Sequence, residues 1–167
     1  MSMEFMRVGL VSCKMFRLGV PLLLLLAVGG CGADNTPLAQ TQSTPPITAN
    51  VTLREWDVFT DKTTISAGQV TFNATNTGAV PHELVVLKLN AGVQPETMQV
   101  RGGVVDEAAS GTVIDEIEDF TGTQTKTMTL TSGTYAIFCA IVENDSTPGK
   151  TKVSHYVNGM HAKLTVQ

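Results

Sequence analysis

Histidine is close to absent from this sequence. His82, His155 and His161 are the only three in 167 residues. A second histidine-rich metal motif is therefore excluded. Cysteine is equally sparse, at Cys13, Cys31 and Cys139. Lysine and arginine number 11 against 15 acidic residues, a net charge of −4, and they form no run. That excludes nucleic-acid binding, which needs a basic face. Helical periodicity is scarce and no internal repeat is evident. Beyond the N-terminal segment the methionines are Met98, Met128 and Met160, dispersed rather than clustered.

One apolar run stands out against this background. "LGVPLLLLLAV", Leu18 to Val28, carries no charge and follows Arg7, Lys14 and Arg17. It is too short to span a bilayer comfortably and reads as the core of a signal peptide. Val28-Gly29-Gly30-Cys31 then resembles a bacterial lipobox, in which Cys31 is lipidated and becomes the first residue of the mature chain. The other reading is an ordinary secretory cleavage site that happens to contain a cysteine. Either reading carries the mature chain out of the cytoplasm, and cleavage before Cys31 removes residues 1–30. Lipid on Cys31 implies an anchor to a membrane facing the periplasm or the cell exterior. Loss of residues 1–30 moves the net charge to −6. Residues 31–47 are rich in Thr, Pro, Gln and Ala without apolar periodicity, as suits a flexible tether. The folded domain is expected over 48–167.

Within that domain short apolar alternations are separated by turn signals. Val70, Phe72 and Ala74 alternate with polar residues between Ala67-Gly68 and Asn76-Thr77-Gly78, the pattern of a half-buried strand. "ELVVLKL" is more continuously apolar. Met128 and Leu130 alternate with threonines, and Ser132-Gly133 turns the chain into "TYAIFC". "HAKLTVQ" closes it. In "NVTLREWDVF" the apolar parity switches, which suggests a bulge or a sheet crossing. Gln94 to Gly102 reads as a short helix or an irregular excursion. The acidic run "DEIEDF", Asp115 to Phe120, reads as a solvated loop, with docking to a basic partner as the alternative. The sum is an all-β antiparallel sandwich.

Cys139 has no disulfide partner once Cys13 is removed and Cys31 is lipidated. A thiol exported to an oxidising compartment is buried and inert, or reactive, or held as a metal thiolate. His155, Met160 and His161 follow it, and His82 opens the "HELVVLKL" strand. Two imidazoles, a thiolate and a weak thioether are the ligand set of a trigonal copper site for electron transfer.

Three motif pieces, "GAVPHELVV", "GTYAIFC" and "SHYVNGMHAKLTV", together resemble the cupredoxin, or blue copper, family over about Val51 to Gln167. The resemblance implies a cupredoxin-like Greek-key β-sandwich, antiparallel or mixed, and one type 1 copper ion. It implies His82, Cys139 and His155 as equatorial ligands and Met160 as the axial one. His161, next to Met160, should point away from it and replaces His155 only if the intervening loop does not fold back. That loop, Ala140 to Ser154, is longer than is common in the family. Its charged "ENDSTPGKTK" with Pro148-Gly149 is expected to turn in solvent and return. The Glu83 N–H is expected to donate to the Cys139 sulfur and its carboxylate to be exposed, with approach to the metal as the alternative. Tyr156, Val157 and Gly159 are expected to make an apolar patch around the edge of His155.

The implied function is electron transfer without substrate chemistry, by a monomer with transient redox protein partners. Copper storage or delivery in the cell envelope is a second reading. A metal-free structural β-sandwich is a third.

Overall fold

A computed structural model describes residues 45–143 and 152–167. The expected signal segment, Cys31, most of the tether and the Pro148-Gly149 turn lie outside the described residues. Among the described residues no helix is long and apolar enough to cross a membrane.

The strands in chain order are β1 (Ile47–Arg54), β2 (Asp57–Thr60), β3 (Thr64–Ile65), β4 (Gly68–Asn76), β5 (His82–Leu89), β6 (Val100–Arg101), β7 (Val104–Val105), β8 (Gly111–Phe120), β9 (Gly122–Leu130), β10 (Gly133–Phe138), β11 (Val142–Glu143), β12 (Val153–Ser154) and β13 (His161–Val166). A 3-10 turn at Pro95–Thr97 and a one-turn helix at Glu107–Ser110 interrupt them. One sheet runs β2-β1-β4-β9 and the other β3-β13-β10-β5-β8. The β1–β4 and β3–β13 pairs are parallel and the remaining pairs antiparallel, so both sheets are mixed.

Alternation explains the first sheet. Val70, Phe72 and Ala74 on β4 are buried and face Leu53, Leu130, Tyr135 and Leu164 in the core between the sheets. The β-branched threonines that alternate with them suit a pleated strand. Each large apolar side chain buried there contributes about 1.5–3 kcal/mol.

Strands β5 and β10 lack alternation because both their faces are covered. Leu84, Val86, Tyr135 and Ile137 enter the main core. Val85, Leu87, Ala136 and Phe138 meet a second apolar cluster built by Met98, Val105 and Tyr156. The excursion around Pro95 thus folds over the outer face of the second sheet.

Two sequence expectations are corrected. The parity switch at Glu55-Trp56 is neither a bulge nor a sheet crossing. It is the turn of the β1–β2 hairpin, with Arg54 opposite Asp57. The acidic run at Asp115–Phe120 is not a loop. It is the second half of β8, paired with β5 through Asp115–Val86, Glu116–Val85 and Ile117–Leu84. Ile114, Ile117 and Phe120 pack on the main core and hold the strand in. Two register shifts against β5 break the alternation that would have marked it. β8 is an edge strand, where charge discourages pairing with another sheet.

Candidate metal centre

β5 and β10 are antiparallel, with Phe138 opposite Val85. The start of β5 and the end of β10 therefore meet at one end of the sandwich, bringing His82 beside Cys139. The β11–β12 ribbon delivers His155. Val142 pairs with Ser154 and Glu143 with Val153, so the two ends of the long Cys-to-His segment are zipped together. The His155 N–H then donates to Ile141 O at 3.0 Å. Loop length costs little under such a closure.

The return into β13 is a tight turn. The Asn158 N–H and side-chain amide both donate to Ser154 O, at 3.1 and 2.8 Å, and the Gly159 N–H donates to Tyr156 O at 2.9 Å. Gly159 has φ 115°, and a Cβ there would stand 3.1 Å from Trp56 O. The Met160 N–H donates to His155 O and the Cys139 N–H to Met160 O, both at 3.1 Å. Backbone bonds thus run from His155 through Met160 to Cys139.

His82, Cys139, His155 and Met160 are all fully buried. The donor atoms of the first three lie within 4.8 Å of one another. Cys139 Sγ is 3.3 Å from His155 Nδ1 and 4.0 Å from His82 Nδ1. The two Nδ1 atoms are 3.2 Å apart. Two imidazole lone pairs at that distance repel unless a proton or a cation lies between them. The group is therefore suited to hold a metal. The Glu83 N–H donates to Cys139 Sγ at 3.3 Å, as expected from the sequence.

Burial dominates the electrostatics. It pushes the Cys139 thiol up to about 11, against the hydrogen bonds from the Glu83 and Ile141 backbones. Burial, aided by nearby His155, holds the His82 imidazole below its usual range. Both effects favour uncharged, cation-accepting side chains until a metal displaces the thiol proton.

Neighbouring residues point the other way. His161 packs against the Tyr156 ring at 5.2 Å and lies outside the group of three donors. Glu83 is not exposed, and its carboxylate is absent from the group of donors that could hold a metal. It is half-buried on the outer face of β5, where burial and the adjacent Glu116 carboxylate raise its pKa to about 7. Tyr156 does not contribute to an exposed patch. It is buried, its hydroxyl donating to Pro95 O and accepting from the Met98 N–H at 3.2 Å. Val157 is exposed as expected, and Trp56, which is 40% exposed, stacks edge-on against His155 at 5.2 Å.

Three residues went unnoticed in the sequence. Trp56 covers His155. Glu143 Oε1 lies 3.3 Å from His155 Nε2. Glu55 Oε1 lies 3.6 Å from His82 Nε2. The parity break at Glu55-Trp56 was the available signal that this turn is special.

The architecture is a β-sandwich of the cupredoxin fold, with a buried group of donors that could hold a metal ion. Auracyanin from the photosynthetic bacterium Roseiflexus castenholzii, in its dithionite-reduced form, is similar at a TM-score of 0.50 and 20% identity, covering 74% of this chain and 99% of its own. Rusticyanin from Thiobacillus ferrooxidans is similar at a TM-score of 0.50 and 17% identity, covering 75% and 79%. Auracyanin A, a "blue" copper protein of Chloroflexus aurantiacus, shares 26% identity at a TM-score of 0.46, covering 74% and 100%. No protein-family model matches the chain, and no curated protein matches its sequence.

Proposed function

We propose that this protein is an exported, lipid-anchored electron carrier with one copper ion in a type 1 site. His82 Nδ1, Cys139 Sγ and His155 Nδ1 are its three strong ligands, and the Met160 thioether is the weak fourth. The convergence of two imidazole nitrogens and one thiol in a dry, hydrogen-bonded pocket carries this reading. Thiolate with imidazole suits copper, and the mixed set is that of electron-transfer sites. The fold shared with auracyanin and rusticyanin supports the same reading.

When bound, the copper supplies a one-electron couple between Cu(I) and Cu(II). The chain's own part is to keep the donors still and water out. The backbone bonds linking Ile141, His155, Met160 and Cys139 resist rearrangement when the metal changes charge. The donors are closed to solvent, which suits an electron and not a substrate. His155 is the natural exit, because its ring meets the partly exposed Trp56. A redox protein docking transiently over Trp56 and Val157 completes the path.

Storage or delivery is less well supported, since metal exchange favours accessible donors and these are buried. Anchoring rests on Cys31 and its lipobox-like context. Reversible voltammetry of the copper-loaded protein tests the central role. Retention of copper through repeated reduction and oxidation is expected, and loss of the metal on each reduction would favour storage. Cys31→Ser is expected to release the protein from membranes into the soluble fraction.

A further inference from the structure

Both imidazoles turn Nδ1 toward the thiol, which leaves both Nε2 atoms facing outward. In a neutral imidazole whose Nδ1 lone pair goes to a metal, Nε2 carries the hydrogen. Each Nε2 here faces a carboxylate. His155 Nε2 is 3.3 Å from Glu143 Oε1. His82 Nε2 is 3.6 Å from Glu55 Oε1, beyond hydrogen-bond length, and this buried nitrogen has no hydrogen-bond partner among the described residues.

The Glu55 carboxylate is built in. Its Oε1 accepts the Ala79 N–H at 2.8 Å and the Val80 N–H at 2.9 Å. Its Oε2 fills the space beside Gly78, where a Cβ would lie 2.6 Å away and displace the carboxylate. The segment leading into His82 is thus wrapped around this charge. Glu143 has a different origin, on the β11–β12 ribbon that delivers His155. Two unrelated parts of the chain therefore place one carboxylate behind each imidazole.

We infer, resting on the copper reading above, that Glu55 and Glu143 are positioning residues that favour Cu(II) over Cu(I) and so lower the reduction potential of the site. A carboxylate behind a metal-bound imidazole strengthens the ring as a donor. Fixed negative charge near a dry site also stabilises a divalent ion more than a monovalent one. Glu143 is closer to its ring, but its side chain is 42% exposed against 27% for Glu55, so solvent screens it more.

The test compares copper-loaded wild type, Glu55→Gln and Glu143→Gln by spectroelectrochemical titration, with thermal melts of the metal-free proteins. Glutamine keeps an oxygen to accept from Ala79 and Val80, so the metal-free melts are expected to stay near wild type. Each variant is expected to lose roughly tenfold in Cu(II) affinity relative to Cu(I). For a one-electron couple that tenfold change reads as an upward shift of about 59 mV. A merely structural role would move the melts and leave the potential in place. Glu143→Gln touches no backbone clamp, so it keeps the test sound if Glu55→Gln folds poorly. Unshifted or lowered potentials with an intact visible band would overturn this inference alone. A wild type that gives no band with copper would overturn the copper reading beneath it.

Discussion

The inner and outer faces of β5 and β10 carry different chemistry on adjacent residues. His82, Cys139, His155 and Met160 belong to the inner side, continuous with the core between the sheets. Their immediate neighbours Glu83, Phe138, Tyr156 and His161 belong to the outer side. Each donor is thus backed, one residue away, by a group that packs, caps or carries charge. A strand end can in this way hold a buried thiol beside two imidazoles. The inner residue supplies the donor atom, and on the outer side Phe138 and Tyr156 pack the adjoining backbone in place.

Substitutions on the two faces should separate cleanly, and the largest separation is between two histidines. His155→Ala is expected to abolish the visible band of the copper-loaded protein, while His161→Ala leaves it in place. Absorption spectra of the two variants check this. A band that survives His155→Ala and vanishes with His161→Ala would reverse the assignment.

Phe138→Ala probes the outer face directly. Phe138 is fully buried and packs on Tyr156 with ring centroids 6.0 Å apart. Its truncation is expected to cost about 3–5 kcal/mol by chemical denaturation. Where the variant remains folded, its copper band should match wild type.

Met160→Leu asks whether the fourth inner residue acts as a ligand or as packing. The volume-conserving change should alter the stability of the metal-free protein by less than about 1.5 kcal/mol. Loss of a sulfur donor should nevertheless raise the potential while the colour persists. An unchanged potential would leave Met160 as core packing only.

The smallest expected effect lies at Glu83. Its folded-state pKa, about 7, is above the usual carboxylate range. The ionised form is therefore penalised in the folded state above that pH, and the penalty fades as pH falls toward the unfolded value. In metal-free protein Glu83→Gln should be stabilising near pH 8, by about 1 kcal/mol after allowance for solvent screening. The gap should close near about pH 5, which paired melts across pH would show.

Much of this arrangement was legible in the residues. Strands β4 and β9 announce themselves by alternation between glycine turns, and β5 and β10 by apolar residues on both parities. The order of His82, Cys139, His155 and Met160 along the chain points to one site, and the first three bring their donor atoms together. The acidic half of β8 was not legible, because two register shifts scramble its period and its charges mimic a loop. Tyr156 was misplaced because its cover, the excursion around Pro95 and Met98, is remote in sequence. The parity break marks Glu55-Trp56 as a special turn without tying it to the site, and nothing in the sequence ties Glu143 to it. Each reaches the site through a turn or ribbon whose pairing only the folded chain reveals.

The central claim is that Cys139, with His82 and His155, forms one copper thiolate site. Its most direct test is titration of the purified protein with Cu(II), in wild type and Cys139→Ser, followed by visible absorption. An intense thiolate-to-copper charge-transfer band that saturates at one copper per chain, and is missing from Cys139→Ser, is the expected result. A wild type that stays colourless, or a band that survives in Cys139→Ser, would contradict it.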